Sequence, residues 1–345
     1  MKVTIRDIAK IAGVSHSTVS RSLNDHPSIS PARREQIKKI ANELGFEYNA
    51  NAKRLRGGKV GTVGIIAAKM DKASFFLDSL MRKITHEEQN SFQDYIVSFP
   101  SDSIQGSNNI RRLVSAGKVD GFILLHPDIS YSDYEFLMKQ QVPFVLLHFK
   151  PQNFTYEHLN YYLTDHEYGA YIATSHLIQL GRNNILSVSE GGGEIQFLER
   201  SAGFKRALHE HGISFNPEML IEGECSFDFG RQIVQQRRGA IHRIDAIFAQ
   251  ADVIALGIIH ELRELGIRVP EDISVVGYDD ILIGEYTTPR LTTVHQPTED
   301  MDHQACLRIN ELINGTDDGE PVQKIFKPGL VIRDSCISTV SNVSP

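Results

Sequence analysis

Cysteine is scarce. Cys225, Cys306 and Cys336 are an odd number at wide spacing, and no Cys-x-x-Cys pair occurs. Three isolated thiols argue against a disulfide framework and against a zinc knuckle. Long apolar runs are also missing: the longest, such as Val63 to Ala68 and Val142 to Leu147, fall far short of the ~18 residues that suggest a membrane span. The opening Met1-Lys2-Val3-Thr4-Ile5-Arg6-Asp7 turns charged too soon to supply the apolar stretch of a secretory leader. A cytoplasmic location with no membrane partner is therefore expected. Catalytic signatures are absent as well. There is no Gly-x-Ser-x-Gly elbow, no His-Glu-x-x-His, no Walker loop and no Gly-x-Gly-x-x-Gly, and the 14 histidines are scattered. The expectation is a non-enzyme that needs no cofactor.

What is present is unevenly distributed. The chain has 345 residues, 41% of them hydrophobic, enough for two or three domains with cores of their own. Its net charge of -7 divides into a basic head and an acidic body, since residues 1–58 hold 11 Lys or Arg against 5 Asp or Glu and the remainder hold 25 against 38. A polyanion is attracted to such a head and repelled by such a body, as expected of a DNA-binding module attached to something else.

The head reads as three short helices. Ile5, Ile8, Ala9 and Ala12 fall on one helical face, and Gly13-Val14 breaks the pattern. Ser15 is a good cap for a second helix whose Val19 and Leu23 share a face, with His16, Ser17, Ser20, Arg21 and Asn24 on a polar arc. Ser30-Pro31 opens a third helix, with Ile37, Ile40, Ala41 and Leu44 inward and Gly45 at its end. Two helices joined by a tight glycine turn form a helix-turn-helix that can lay its second member in the major groove. On that reading His16 and Ser17 touch base edges, Arg21 reaches a guanine or a phosphate, and Thr4, Ser15 and Thr18 position the helix on the backbone. A plain three-helix bundle with a solvated face is the competing reading. The next segment, Asn49-Ala50-Asn51-Ala52-Lys53-Arg54-Leu55-Arg56-Gly57-Gly58, has good helix formers and three basic residues, yet so short a helix is marginal unless something holds it. Two such segments side by side on DNA can wedge paired Leu55 side chains into a minor-groove step; the alternative is a flexible linker.

The run from Val3 to Arg21, followed by Asn24 and the Asn49 to Leu55 segment, resembles the N-terminus of the lactose/galactose-repressor (LacI/GalR) family. The resemblance implies that His16, Ser17 and Arg21 are base-reading positions, that Asn49, Ala52, Lys53 and Leu55 belong to a DNA-contacting hinge helix at about 49–57, and that paired heads read a pseudo-palindromic operator. The head with its hinge is taken as residues 1–58.

From Val60 onward, apolar strand candidates alternate with amphipathic helices. Gly64 to Ala67, Tyr95 to Phe99, Gly121 to Leu125 and Phe144 to Leu147 read as buried strands with helices between them, one of them from Phe75 to Gln89, and the pattern repeats from Tyr168 to Asp279. Such alternation predicts two doubly wound parallel sheets with a ligand cleft at the carboxyl ends of their strands. The stretches Thr174 to Gly181, Arg200-Ser201-Ala202-Gly203-Phe204, Ala255-Leu256-Gly257, Val269 to Asp280 and Pro289 to Val294 resemble the family's sugar-binding core, itself akin to periplasmic binding proteins. The fold expected is thus an all-α helix-turn-helix head on a two-lobed α/β core, residues 59–345. The lobes are expected at about 60–162 plus 292–320, and 163–291 plus 321–340.

The resemblance maps effector contacts onto Arg200 and Asp279, a planar fork of donors and a double acceptor suited to vicinal hydroxyls. Phe75 or Phe76 offers an apolar face for a sugar ring, with core packing as the alternative. Asp165 and Asp252 also lie at family-like positions and read equally as supporting groups or helix caps. Ala251 and Cys225 depart from the common pattern, as does the loop Lys69 to Ser74. Ser189-Glu190-Gly191-Gly192-Gly193 reads as a phosphate cradle or, more simply, a turn. The implied partners are double-stranded operator DNA, a sugar or sugar derivative, and a second copy of the chain. With Asn342-Val343-Ser344-Pro345 closing the sequence soon after Gly329 to Ile332, a homodimer is expected rather than a heptad-built tetramer. The rival classes are a sugar-acting enzyme and a sugar-binding transport protein on the same cleft fold.

Overall fold

The structure is a computed structural model. It describes residues 3–23, 26–46, 59–67, 70–86, 94–99, 109–125, 129–149 and 158–336. The chain divides into two compact units, Met1–Val60 and Gly61–Pro345.

The first unit holds α1 (Ile5–Ala12), α2 (His16–Leu23) and α3 (Pro31–Glu43). Asp7 sets the start of α1: its carboxylate accepts from the Thr4 backbone N–H at 2.8 Å and the Thr4 hydroxyl at 2.7 Å. Gly13 ends the helix at φ +63, a conformation that glycine adopts without strain. Pro31 opens α3, although Ser30 before it makes no side-chain cap bond. Ile8, Ala9, Val19, Ile37 and Ala41 form the small core where the three helices meet.

The second unit is built on two six-stranded sheets. The first combines β1 (Thr62–Ala67), β2 (Asp94–Ser98), β3 (Gly121–Leu125), β4 (Phe144–Leu147), β5 (Tyr161–Thr164) and β11 (Gln323–Phe326) in the order β11-β5-β4-β3-β1-β2, with every pair parallel. The second runs β12-β10-β9-β8-β6-β7, from β6 (Ile185–Glu190), β7 (Leu220–Gly223), β8 (Ala246–Ala249), β9 (Ser274–Asp279), β10 (Thr292–His295) and β12 (Gly329–Val331). Its edge strand β12 lies antiparallel to β10, so this sheet is mostly rather than wholly parallel. Helices cover both faces of each sheet, which explains the continuous apolar runs. In the first, Ile65, Ile123 and Val145 face Leu80 and Ile309, while their neighbours Ile66, Leu124 and Leu146 face Leu113 and Leu137.

The helices of the second unit are α4 (Met70–His86), α5 (Ile110–Ser115), α6 (Tyr131–Lys139), α7 (His166–Gln179), α8 (Ile195–Glu210), α9 (Phe227–Gln236), α10 (Asp252–Glu264) and α11 (Thr298–Asn314). Two sequence expectations need correction here. Residues 70–74, expected in a loop, are helical. The lobe boundaries also shift: residues 292–295, expected in the first lobe, pair with β9 in the second sheet, and residues 323–326, expected in the second lobe, pair with β5 in the first. The chain therefore crosses between sheets three times, after Thr164, after His295 and after Phe326.

Close helix contacts hold the second lobe. A Cβ on Gly203 of α8 would lie 2.0 Å from the Glu167 carbonyl oxygen of α7, so the helices approach at backbone distance. Gly203→Ala should force them apart and cost about 1–3 kcal/mol, visible as a lower melting midpoint; an unchanged midpoint would contradict that packing.

Candidate functional site

In the head, the outer edge of α2 carries the base-reading candidates. Val19 is buried, whereas His16, Ser17 and Arg21 are exposed. Ser15 caps the helix, its hydroxyl accepting from the Thr18 N–H at 3.1 Å and lying 2.8 Å from the hydroxyls of both Ser17 and Thr18. Thr4 is exposed and tied to Asp7, whose carboxyl is held below its usual range by the Thr4 bonds. Asn24 and the hinge candidates Asn49, Ala52, Lys53 and Leu55 lie outside the described residues.

The cleft of the second unit is assembled at the carboxyl ends of the strands. Arg200, from the first turns of α8, is buried beneath it. Its guanidinium donates to Asp279 Oδ1 at 3.2 Å, to the Gln250 carbonyl oxygen, and weakly to His166 Nδ1 at 3.4 Å. The Tyr278 ring lies 3.6 Å below its Cζ, and Phe197 flanks it at 4.9 Å. Gln250 is itself pinned, accepting from Ser189 at 2.8 Å and donating to Ser187 at 3.0 Å and Ser201 at 3.1 Å. Such a fully bonded buried network fixes the guanidinium in one pose.

Asp279 ends β9 at φ +116 and Asp280 follows at φ +59, two consecutive non-glycine residues in a region that L side chains avoid. The surroundings hold them there. Arg333 donates to Asp280 at 2.7 Å, His295 Nδ1 lies 2.9 Å from it, and Asp252 accepts from the Ile281 N–H at 2.9 Å. Asp279 also accepts from Gln296 at 2.8 Å, and Gln296 in turn accepts from Thr164 at 3.0 Å. Two of the three crossovers are thereby bonded to each other and to the cleft carboxylate. Burial raises the Asp279 carboxyl above its usual range, opposed chiefly by Arg200.

The other expected contacts fall differently. Asp165 caps α7, accepting from the Tyr168 N–H at 3.0 Å. Asp252 is fully buried behind Asp279, with its oxygens taken by Thr293 at 2.6 Å and Ile281. It supports the Asp279 turn through these bonds. Phe76 packs on the first-lobe core with its ring stacked 4.4 Å from His148, and Phe75 meets it edge-on at 5.3 Å. Ser189 and Glu190 end β6 and the chain bends at Gly191 and Gly192, with the Gly191 N–H donated to the Gly223 carbonyl at 2.8 Å. A small pocket between the lobes is lined by His148, Leu163 and Thr164 on one side and His166, Ile195, Gln196 and Glu199 on the other. Sequence reasoning missed Gln250, Gln296, His166 and His148. Their one signal is position, at or just past the carboxyl ends of strands or at crossovers.

A helix-turn-helix head carried in one chain with a two-lobed core of this topology defines a DNA-binding transcription regulator. The family description "Bacterial regulatory proteins, lacI family" matches residues 4–49, and "Periplasmic binding protein-like domain" matches residues 174–336. The chain is 30% identical over 335 residues to the HTH-type transcriptional repressor PurR of Vibrio vulnificus, covering 96% of this chain and 98% of that protein. Among solved structures, the lac repressor dimer bound to operator and the anti-inducer ONPF matches at TM-score 0.81 and 26% identity over 98% of this chain and all of that one. The transcriptional regulator CelR in complex with cellobiose matches at TM-score 0.69 and 28% identity, over 97% of this chain and all of that one. The chain belongs to the lacI family of bacterial regulatory proteins.

Asp252 binds its proton more tightly folded than unfolded, since burial and then Asp279 raise its carboxyl well above the ordinary value near 3.8. Its contribution to stability is therefore complete below that value and is lost as pH climbs through the folded pKa. Asp252→Asn keeps an acceptor for Ile281 and removes the titration. Melting curves from about pH 4 to about pH 7 should show the variant gaining on the parent as pH rises; parallel curves would exclude this linkage.

Proposed function

We propose that this chain is a repressor that binds a pseudo-palindromic double-stranded operator as a homodimer and is switched by a sugar in the cleft between its lobes. The observation that carries the reading is the outer edge of α2, where His16, Ser17 and Arg21 stand exposed on a helix capped by Ser15, in a head whose charge is positive while the rest of the chain is negative. Arg21 supplies a fork for guanine or phosphate, and Thr4, Ser15 and Thr18 supply hydroxyls for the backbone. By the family resemblance, Asn49, Ala52, Lys53 and Leu55, outside the described residues, are proposed as further DNA contacts, with Leu55 as the wedge.

Support for a dimer comes from the lac repressor neighbour, whose structure is described as a dimer on operator, and from Leu282, Ile283 and Tyr286, which stand 56%, 54% and 73% exposed close together in the sequence. The cellobiose in the CelR structure supports a sugar as the class of effector. Asp279 and Arg200 hold its hydroxyls from the second lobe, with Phe75 or Phe76 as the apolar wall opposite. A ligand that prefers one lobe arrangement shifts operator affinity by its differential affinity for the two states, with no covalent step. The place of work is the cytoplasm, where DNA and metabolite meet; among the described residues no helix is long and apolar enough to cross a membrane.

Binding to an operator selected from random duplexes, followed by fluorescence anisotropy, should weaken on the order of a hundredfold or more between about 50 and about 200 mM salt. In the same assay Arg21→Ala should cost about 1–3 kcal/mol and relax base preference. Flat salt dependence and an indifferent Arg21→Ala would refute DNA recognition by this head. Separately, Arg200→Lys keeps the charge but loses the planar fork. It should abolish the rise in melting midpoint that a bound sugar produces, worth about 2.7 kcal/mol at ~100 times Kd in the parent.

A further inference from the structure

Two consecutive residues of the second crossover grip two consecutive residues of the strained turn. Gln296 donates to Asp279 at 2.8 Å, and His295 Nδ1 lies 2.9 Å from Asp280 Oδ2. The other Asp280 oxygen accepts from Arg333 Nη2 at 2.7 Å, and the same nitrogen reaches Glu285 Oε1 at 3.0 Å. One guanidinium thus serves two carboxylates. The cluster is one positive charge short, and a protonated His295 supplies it. The side chains of Asp280 and Arg333 are only 14% and 10% exposed, so their charges are weakly screened, whereas that of His295 is 50% exposed and can exchange its proton with water.

A carboxylate only accepts, so Nδ1 donates to Asp280 in either protonation state of the ring. Protonation changes the bond from neutral to charge-assisted. The charged groups around the imidazole are Asp280 of the turn, Arg333 just beyond β12, and Glu299, four residues on in the first turn of α11; Glu285 is joined to it through Arg333. The Asp280 carboxylate holds the ring above its ordinary value of 6.5, against partial burial. Position gives the pair its reach. His295 is the last residue of β10, where the chain leaves the second sheet, and Gln296 beside it also accepts from Thr164 at the end of β5 in the first.

We propose that His295 is a proton-operated clasp on the second crossover: protonated, it fixes the crossover to the Asp279–Asp280 turn, and neutral, it slackens that hold, so that the passage between the two sheets responds to pH. The clasp does not depend on what the cleft binds. Its stabilising effect is complete below about pH 6.5 and is lost as pH climbs through the higher folded value.

The test uses the full chain without ligand. In NMR spectra of histidine-labelled protein, the His295 signal, identified by its loss in His295→Gln, should titrate with a midpoint above 6.5. That midpoint should fall in Asp280→Asn, since asparagine tolerates the left-handed backbone but carries no charge. Hydrogen exchange at about pH 6 and about pH 8, corrected for the intrinsic base-catalysed rate, should show residues 293–300 and the end of β5 losing protection roughly threefold or more at the higher pH, the scale of one charge-assisted bond. His295→Gln should remove that difference. A parent midpoint at or below the ordinary value, protection indifferent to pH, or a pH response undiminished in His295→Gln overturns the proposal. A response confined to the second sheet, with none at β5, reduces the pair to a local ion pair and overturns it as well.

Discussion

Taking a guanidinium out of water costs several kcal/mol unless its N–H groups find acceptors and its charge a partner. Arg200 meets that demand with Asp279, the Gln250 carbonyl and His166, and rests its flat face on Tyr278. Each partner needs its own support. Gln250 is held by three serines from β6 and α8, and Asp279 keeps its unfavourable backbone only because Asp280, Ile281 and Gln296 are tied down around it. The polar floor of the second lobe is thus one connected network, and the pose of the Arg200 guanidinium is a property of that network rather than of one side chain.

Through Gln296 the network leaves the second lobe. Its amide bonds Asp279 on one side and Thr164 on the other, and Gln296 and Thr164 themselves sit where the chain passes between sheets. Two hydrogen bonds thus join the Asp279 carboxylate of the second sheet to Thr164 at the end of a first-sheet strand.

Much of this architecture was legible in the sequence, and the gaps have physical causes. Buried strands such as Gly121–Leu125 and Phe144–Leu147 announce themselves because both sheet faces are covered. α11 does not, because Asp302 and Arg308 are buried on it and interrupt the apolar stripe. α9 is masked by Gly230, which reads as a breaker but is needed where a Cβ would lie 2.3 Å from the Ile254 carbonyl oxygen. The edge strand β11 is largely solvent-facing and has no alternating pattern. At the site, Arg200 and Asp279 were reached through family resemblance. His148, His166, Gln250 and Gln296 are single polar residues without periodicity, and only the folded chain shows what they bond.

The weaving of the chain bears on the order in which it becomes ordered during synthesis. β5 waits for β11, a neighbour made more than 150 residues later, and β10 of the second sheet precedes the helix that closes the first. Neither sheet reaches its full width until the stretch beyond residue 322 has left the ribosome, whereas the three-helix head needs only contacts within its own few dozen residues. A nascent chain thus carries a finished helix-turn-helix head well before either sheet of the two-lobed core is complete.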